Sequence, residues 1–159
     1  MILFSCLADL INNTVGPFGS PLQKQNIFIN MQIEMAKTKV RWEFPVKSSV
    51  KILYNYISTA SGLSEWFADD VQMHDGIYFF KWNDTEQKAK LAHKRENQLV
   101  RFNWTEDPDH SFLEMEIMLD DITGDMALVV TDFTEKGDEE ETKRLWESQI
   151  HTLHNIIGS

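Results

Sequence analysis

The sequence is poor in three features that define large classes of proteins. It contains one cysteine, Cys6, so it can form neither an internal disulfide nor a zinc site built from several cysteines. It has no run of 18 apolar residues, so no membrane-spanning helix is expected. The third feature is positive charge: the chain has 15 Lys and Arg residues and 25 Asp and Glu residues, which gives a formal net charge of −10. A field of that sign repels phosphate groups, so we expect no nucleic-acid or membrane partner, and a cytoplasmic location.

The sequence also lacks the short motifs that carry common enzyme chemistry. There is no glycine-rich phosphate loop, no nucleophile elbow and no plausible cysteine–histidine pair. The acidic pairs at 69–70 and 120–121 are not followed by the longer loop and bidentate Glu that calcium needs. His151 and His154 are one helical turn apart, but no third ligand accompanies them. We therefore predict no metal, no cofactor and no recognisable catalytic set.

The first 34 residues differ in composition from the rest of the chain. They carry only three charged side chains, Asp9, Lys24 and Glu34, whereas residues 35–159 carry all the others. Residues 1–34 do not fit a signal peptide, because they lack a positive n-region and a clean cleavage site. We interpret them as an irregular leader, appended or mis-started, with a functional N-terminal arm as the alternative. Residues 35–159 are then the working domain, which is long enough to bury one core.

From residue 38 onward the hydrophobic pattern predicts one strand, then two helices, and then a series of strands. Val40, Trp42 and Phe44 alternate with charged residues, and this period of two indicates a strand that Pro45 ends. Helical spacing follows over 50–57, and a short helix is expected around Leu63–Phe67. Turn signals then recur about every ten residues, as in an antiparallel meander. The strand-like runs between the turns are Ile77–Trp82, Gln87–Lys94, Leu99–Trp104, Phe112–Leu119 and Met126–Phe133.

The last part of the chain is predicted to be a long amphipathic helix. Asp138 and Glu141 resemble a capping box, and Gly158 suits the C-terminal end of the helix. Its apolar stripe consists of Trp146, Ile150, Leu153 and Ile157. The element order β-α-α-β-β-β-β-β-α predicts an α+β domain, in which a curved antiparallel sheet wraps on this C-terminal helix.

Several short stretches between residues 38 and 158 carry a family resemblance. After the first helix the chain has the sequence Thr59-Ala60-Ser61-Gly62-Leu63-Ser64-Glu65-Trp66-Phe67. Further on come alternating aromatics after Gly76, the stretch Leu99–Trp104, Thr131-Asp132-Phe133, and the Trp146 to Leu153 spacing of the last helix. Together these resemble the START-like (SRPBCC, helix-grip) superfamily, especially the branch related to the activator of the heat-shock-protein-90 ATPase. That branch has a Thr-Pro-x-x-Leu-x-x-Trp motif, in which Ala60 here replaces the usual Pro.

The resemblance implies a helix-grip fold. Six or seven antiparallel strands would then grip the C-terminal helix, with an internal cavity between sheet and helix. Related domains bind lipids, sterols or polyketides, act as cyclases or dehydratases, or serve as co-chaperones. Fold similarity does not select among these roles.

Aromatic side chains are the first candidates for ligand contact, because binding pockets are mostly apolar with a few polar groups. The alternative is that these rings simply fill the core. The predicted cavity set is Trp66, Tyr78, Phe80, Trp82, Phe102 and Trp104, with Asp132 and, as a weaker addition, His93.

Asp132 and His93 are the two polar members of this set. Asp132 shares a strand face with Leu128, so we expect it at one end of the cavity, where burial raises a carboxyl pKa. There it would hold a ligand hydroxyl or act as an acid, unless it is a strand-end carboxylate that caps a turn or meets solvent. His93 shares a face with Leu91 and is expected to point inward, either as a proton-transfer partner of Asp132 or as a hydrogen-bonded core histidine.

Positive charge is concentrated on two neighbouring predicted strands. The residues concerned are Lys88, Lys90, Lys94, Arg95 and Arg101. The three lysines alternate in sequence and are expected to point outward. Such a face would orient a protein partner, or it is simply solvated.

Three functions remain open on this reading. The leading hypothesis is a non-catalytic domain that holds a small lipid-like or otherwise apolar ligand in its helix-grip cavity. The second is a co-chaperone-type interaction module that acts through its outer surface. The third is a cavity enzyme of the cyclase or dehydratase type that uses His93 and Asp132. An internal pocket well below ~300 Å³ would favour the second hypothesis.

Overall fold

Seven strands and three helices make up the part of the chain that the structure, a computed structural model, describes: residues 37–107 and 109–158. The strands are β1 (Lys37–Val46), β2 (Asp70–His74), β3 (Ile77–Trp82), β4 (Thr85–Arg95), β5 (Leu99–Trp104), β6 (Phe112–Leu119) and β7 (Met126–Glu135). The helices are α1 (Val50–Ser58), α2 (Ala60–Trp66) and α3 (Glu139–Ile157). The leader predicted for residues 1–34 lies outside the described residues.

The strands form one antiparallel sheet in the order β1-β7-β6-β5-β4-β3-β2. The predicted α+β class and the order of elements are confirmed. β2 is an additional strand, and it pairs with β3 through a turn in which Asp75 and Gly76 both have positive φ, 51° and 78°. The expectation that Pro45 ends β1 is wrong, since the strand continues to Val46. β1 is an edge strand, where a residue without an N–H is tolerated.

Hydroxyl caps begin the two short helices. Ser49 Oγ accepts the backbone N–H of Ile52 at 3.2 Å and so caps α1. Thr59 Oγ1 accepts the N–H of Gly62 at 3.0 Å and caps α2. The two helices approach so closely that a Cβ at Gly62 would lie 2.6 Å from the carbonyl oxygen of Asn55. Only glycine fits at this helix contact.

α3 buries three members of the stripe predicted for it, and the fourth, Ile157, is partly buried. Trp146, Ile150 and Leu153 are buried, and Gly158 ends the helix with a left-handed φ of 73°. The capping-box prediction is wrong in its detail, because the side chain of Asp138 makes no capping hydrogen bond.

The core lies between one face of the sheet, here called the inner face, and the helices. Phe80, Phe102, Met115, Leu128 and Val130 are fully buried on that face. The other face is here called the outer face. It carries charged residues such as Arg101, Glu114 and Glu116 on β5 and β6, whereas Val129 and Thr131 on β7 are buried there. None of the helices in the described part of the chain is both long and apolar enough to span a bilayer.

A bulge in β4 changes which side chains reach the inner face. Before it, Leu91 pairs with the inner-face residue Phe102; after it, His93 pairs with Arg101 and Lys94 pairs with Val100. The extra residue shifts the alternation by one, so His93 is exposed on the outer face and Lys94 is directed to the inner side. The predicted inward orientation of His93 and outward orientation of Lys94 are therefore both wrong.

Candidate functional site

Five of the six aromatic residues predicted to line a cavity come together on the inner face, where their rings contact one another, whereas Trp66 lies on α2 and contacts Phe67 and Trp146. Phe80 lies at the centre, with ring-centroid distances of 5.6 Å to Phe102 and 5.5 Å to Trp104. Tyr78 is 4.9 Å from Phe102, and Trp82 stacks on Phe80 at 5.8 Å. These are contact distances for aromatic pairs, so the rings leave no ligand-sized space among themselves.

Phe67 completes this cluster, although the cavity prediction omitted it. Its ring is 5.6 Å from Phe80, 5.4 Å from Trp82 and 5.5 Å from Trp146. It therefore joins the rings of the sheet to α3. The Trp66-Phe67 pair at the end of α2 was the available signal, because two adjacent rings at a helix end can face different neighbours.

Three of the indole N–H groups in this region are already used inside the protein. Trp66 donates to the carbonyl of Tyr56 at 3.1 Å, and Trp82 donates to the carbonyl of Phe67 at 2.8 Å. Trp146 Nε1 donates to Asp132 Oδ2 at 2.9 Å. A ligand could use these donors only by breaking existing hydrogen bonds, which favours a packing role for the indoles.

Asp132 points toward α3, as its strand face predicted. Its second oxygen, Oδ1, accepts the backbone N–H of Phe133 at 2.8 Å. Burial raises the pKa of this carboxyl above its ordinary value, and the hydrogen bonds from Trp146 and Phe133 offset only part of that effect. The arrangement ties β7 to α3.

Asp132 and His93 do not meet. His93 is exposed on the outer face of β4, whereas Asp132 contacts Trp146 on the inner side of β7. β5 and β6 separate the two strands, which places them roughly 14 Å apart at the usual strand spacing. Direct proton exchange between the two side chains is excluded by that distance.

Comparison with known families identifies the domain. The family model described as "START-like superfamily domain" matches residues 34–159, more than half of the chain. This chain belongs to the START-like superfamily. No curated protein matches its sequence significantly.

Solved structures share the fold of this START-like domain. A Bacteroides fragilis protein with an NMR solution structure is 33% identical, with 77% of this chain and 92% of that chain covered and a TM-score of 0.56. The Aha1 dimer from Colwellia psychrerythraea is 13% identical, with coverages of 76% and 96% and a TM-score of 0.63. A Bacillus halodurans protein is 16% identical, with coverages of 77% and 99% and a TM-score of 0.61. At 13% and 16% identity, the Colwellia and Bacillus structures show only that the fold is shared.

The sequence did not predict the environments of two polar groups in the START-like domain. Asp107 is bound by the ammonium of Lys37 and the hydroxyl of Ser111. Burial alone would raise the pKa of Asp107, but these hydrogen bonds outweigh burial and hold the pKa below its usual value. Lys37 is 70 residues away from Asp107 in the sequence, so spacing gave no signal for their contact.

The second group is the phenol of Tyr54 on α1. Its side chain is only 8% exposed, and its hydroxyl has no hydrogen-bond partner among the described residues. Burial raises its pKa. The ammonium of Lys94 lies 6.0 Å from the centre of its ring. The β4 bulge creates this contact, and a bulge leaves no clear trace in hydrophobic alternation.

Two pockets of the described residues lie outside the aromatic cluster. One is a groove of about 580 Å³ between α1 and the end of α3. The other, of about 300 Å³, is on the outer face near Phe79. Neither pocket is lined by any residue of the predicted cavity set.

Proposed function

We propose that this START-like domain is a non-catalytic protein-interaction module of the co-chaperone type, which binds its partner through the outer face of the sheet. The observation that carries the proposal is the packing of the inner face. The rings of Phe80, Phe102 and Phe67 occupy the space in which a helix-grip domain would hold a ligand. A partner would therefore bind on the outer face of the sheet.

A strip of bases on the outer face supports this proposal. We call it the basic ridge, and it consists of Lys88, Lys90, His93, Arg95 and Arg101. Lys90 and Arg95 are exposed and form no ion pair with any described residue. Lys88 and Arg101 are paired with Glu106 and Glu114, so Lys90 and Arg95 supply the positive charge that would orient an acidic partner and repel a basic one.

The β4 bulge adds His93 to the basic ridge. His93 pairs with Arg101 across the β4–β5 ladder, so its imidazole lies beside the guanidinium on the outer face. By analogy with the branch that this chain resembles, the partner class we propose is a chaperone of the heat-shock-protein-90 type, located in the cytoplasm.

The test is a binding titration of the full chain against the heat-shock-protein-90 homologue of its own organism, with chaperone ATPase activity as second readout. The Lys90→Glu/Arg95→Glu variant should weaken binding at least tenfold, because it reverses the exposed part of the ridge. Lys136→Glu/Arg144→Glu is the matched control, since both residues are exposed but lie outside the ridge, and it should change binding less than twofold. Absence of both binding and ATPase stimulation in the wild type would overturn the proposal.

A lipid-like ligand inside the grip is the second candidate. The observation in its favour is the buried hydroxyl of Tyr54, which lacks a protein partner among the described residues. Native mass spectrometry of the purified chain, together with analysis of a solvent extract, tests it. A stoichiometric ligand would support this candidate, and a mass equal to that of the chain alone would remove it.

A further inference from the structure

The groove between α1 and α3 combines an apolar floor with few polar groups. Its apolar lining consists of Ile52, Tyr56, Ile156 and Ile157, and its polar lining is Lys51 and Asn55. Its volume of about 580 Å³ falls within the range of small-molecule sites. Ile52 is 47% exposed, which is a large apolar surface to leave in water beside two further isoleucines.

The groove is preformed because the surrounding packing fixes α1. The carbonyl of Tyr56 accepts the indole N–H of Trp66, and α2 contacts α1 closely through Gly62. On the other side, α3 is held to the loop after α2 by a hydrogen bond from Gln149 to the carbonyl of Phe67 at 3.2 Å. A site whose walls are already ordered loses little entropy when a ligand binds.

The charge of the groove is opposite to that of the whole chain. No Asp or Glu occurs between residues 44 and 64 or between residues 148 and 158, although the sequence contains 25 of them. Lys51 is the one cation in the lining, and it forms no ion pair with any described residue. It lies in the first turn of α1, where no acidic residue offsets the positive end of the helix.

From these observations we propose that the α1–α3 groove binds a small amphipathic monocarboxylate. The apolar part of the ligand lies against Ile52, Tyr56 and Ile156, and its carboxylate pairs with the ammonium of Lys51, with the Asn55 amide as a further donor. A single ammonium matches a single negative charge. This site is separate from the basic ridge, so it does not depend on the proposed function above.

Decanoate below its micelle concentration is the probe, and amide chemical shifts of the full-length protein are the readout. Saturable shifts are expected at Ile52, Tyr56 and Ile157. Ile52→Glu should weaken decanoate binding at least tenfold, whereas Leu145→Glu should not. Leu145 is the matched control because it is also an exposed apolar residue of a helix, at 59%, and lies outside the groove.

The charge arm of the experiment uses Lys51→Glu and the neutral probe decanol. Lys51→Glu should weaken decanoate at least tenfold and decanol less than twofold, while Lys136→Glu should leave both unchanged. Equal weakening by the control variants, or shifts at Tyr78 and Phe102 in place of the groove, would overturn the proposal. Groove shifts that depend on protein concentration without decanoate would identify a second copy of the chain as the occupant and would also overturn it.

Discussion

Both oxygens of the Asp132 carboxylate are held by N–H donors, one from the indole of Trp146 and one from the backbone of Phe133. A buried carboxylate with a raised pKa is a common sign of acid catalysis. The same shift arises here from a contact that joins β7 to α3. What separates the two interpretations is whether the oxygens are available to a ligand, and in Asp132 each already has a donor.

The Asp132 carboxyl gives stability a defined pH dependence. Because its folded pKa is raised, the native state binds more protons than the unfolded state between the unfolded value of about 3.9 and the folded value. Its contribution to stability is therefore lost as pH rises through that window. Relative to wild type, Asp132→Asn should cost less free energy of unfolding at pH 7 than at pH 4, as measured by urea denaturation. A larger cost at pH 7 would show that the charged form is favoured in the fold.

His93 should be dispensable for stability, because its side chain is exposed on the outer face. His93→Ala is expected to change the free energy of unfolding by less than about 0.5 kcal/mol, as at most surface positions. Leu91→Ala, two residues away on the inner face and packed against the core, is the comparison and should cost roughly 2 kcal/mol. The measurement is chemical denaturation of both variants. A cost for His93→Ala equal to that of Leu91→Ala would place the histidine inside.

At the level of elements, the success of sequence interpretation depended on regular periodicity. β1, β3, β5 and β6 alternate without interruption, and β7 is an apolar run that follows a turn signal, so these elements were predictable. β2 was missed because only Val71 of its five residues is buried. The orientation of His93 was missed because a bulge inserts one residue without changing composition.

The sequence could not distinguish a ligand cavity from a packed core, and the reason here is different. The same aromatic residues occur in both cases, and the outcome depends on how far the rings interpenetrate. Here the ring of Phe67, delivered by the end of α2, fills the space between Phe80 and Trp146. That depends on the position of α2 against the sheet, which tertiary packing sets.

The contact between α1 and α2 predicts an unusual effect for a helical glycine. Gly→Ala inside a helix ordinarily stabilises a protein by up to about 1 kcal/mol. At Gly62 the added Cβ would lie 2.6 Å from the Asn55 carbonyl oxygen and 2.6 Å from the Tyr56 Cα, which are backbone atoms that cannot rotate away. Gly62→Ala should therefore destabilise the domain by roughly 1–3 kcal/mol in thermal or urea unfolding.

Ser61→Ala is the control for Gly62→Ala, since Ser61 is exposed in the same helix. It should be neutral or slightly stabilising, because alanine has the higher helix propensity. Stabilisation by Gly62→Ala would mean that α1 and α2 can separate without cost. The groove proposed for the monocarboxylate would then also lose its rigid wall.

At the scale of the whole molecule, positive and negative residues are distributed unevenly over the surface. The chain has a net charge of −10, yet the basic ridge on the outer face and the α1–α3 groove are locally positive or free of acids. Total charge governs self-repulsion within the fold, whereas local charge governs recognition of a partner. The two effects can be separated with variants that alter total charge equally but at different places.

The two double reversals provide this separation. Lys90→Glu/Arg95→Glu and Lys136→Glu/Arg144→Glu each take the formal net charge from −10 to about −14, because every reversal removes two units. Self-repulsion is screened by salt, so the free energy of unfolding of both variants should rise more than that of the wild type between low and high NaCl. The two rises should agree within about 0.5 kcal/mol, since surface charges act mainly through the total.

The same two variants should differ in their affinity for the partner, because only Lys90 and Arg95 belong to the basic ridge. At low salt the ridge variant should bind the chaperone at least tenfold more weakly than the Lys136→Glu/Arg144→Glu variant. The difference should shrink as NaCl increases and the Debye length falls toward about 3 Å at 1 M. Equal loss of binding in both variants would show that recognition follows net charge, and the outer face would then have no special role in it.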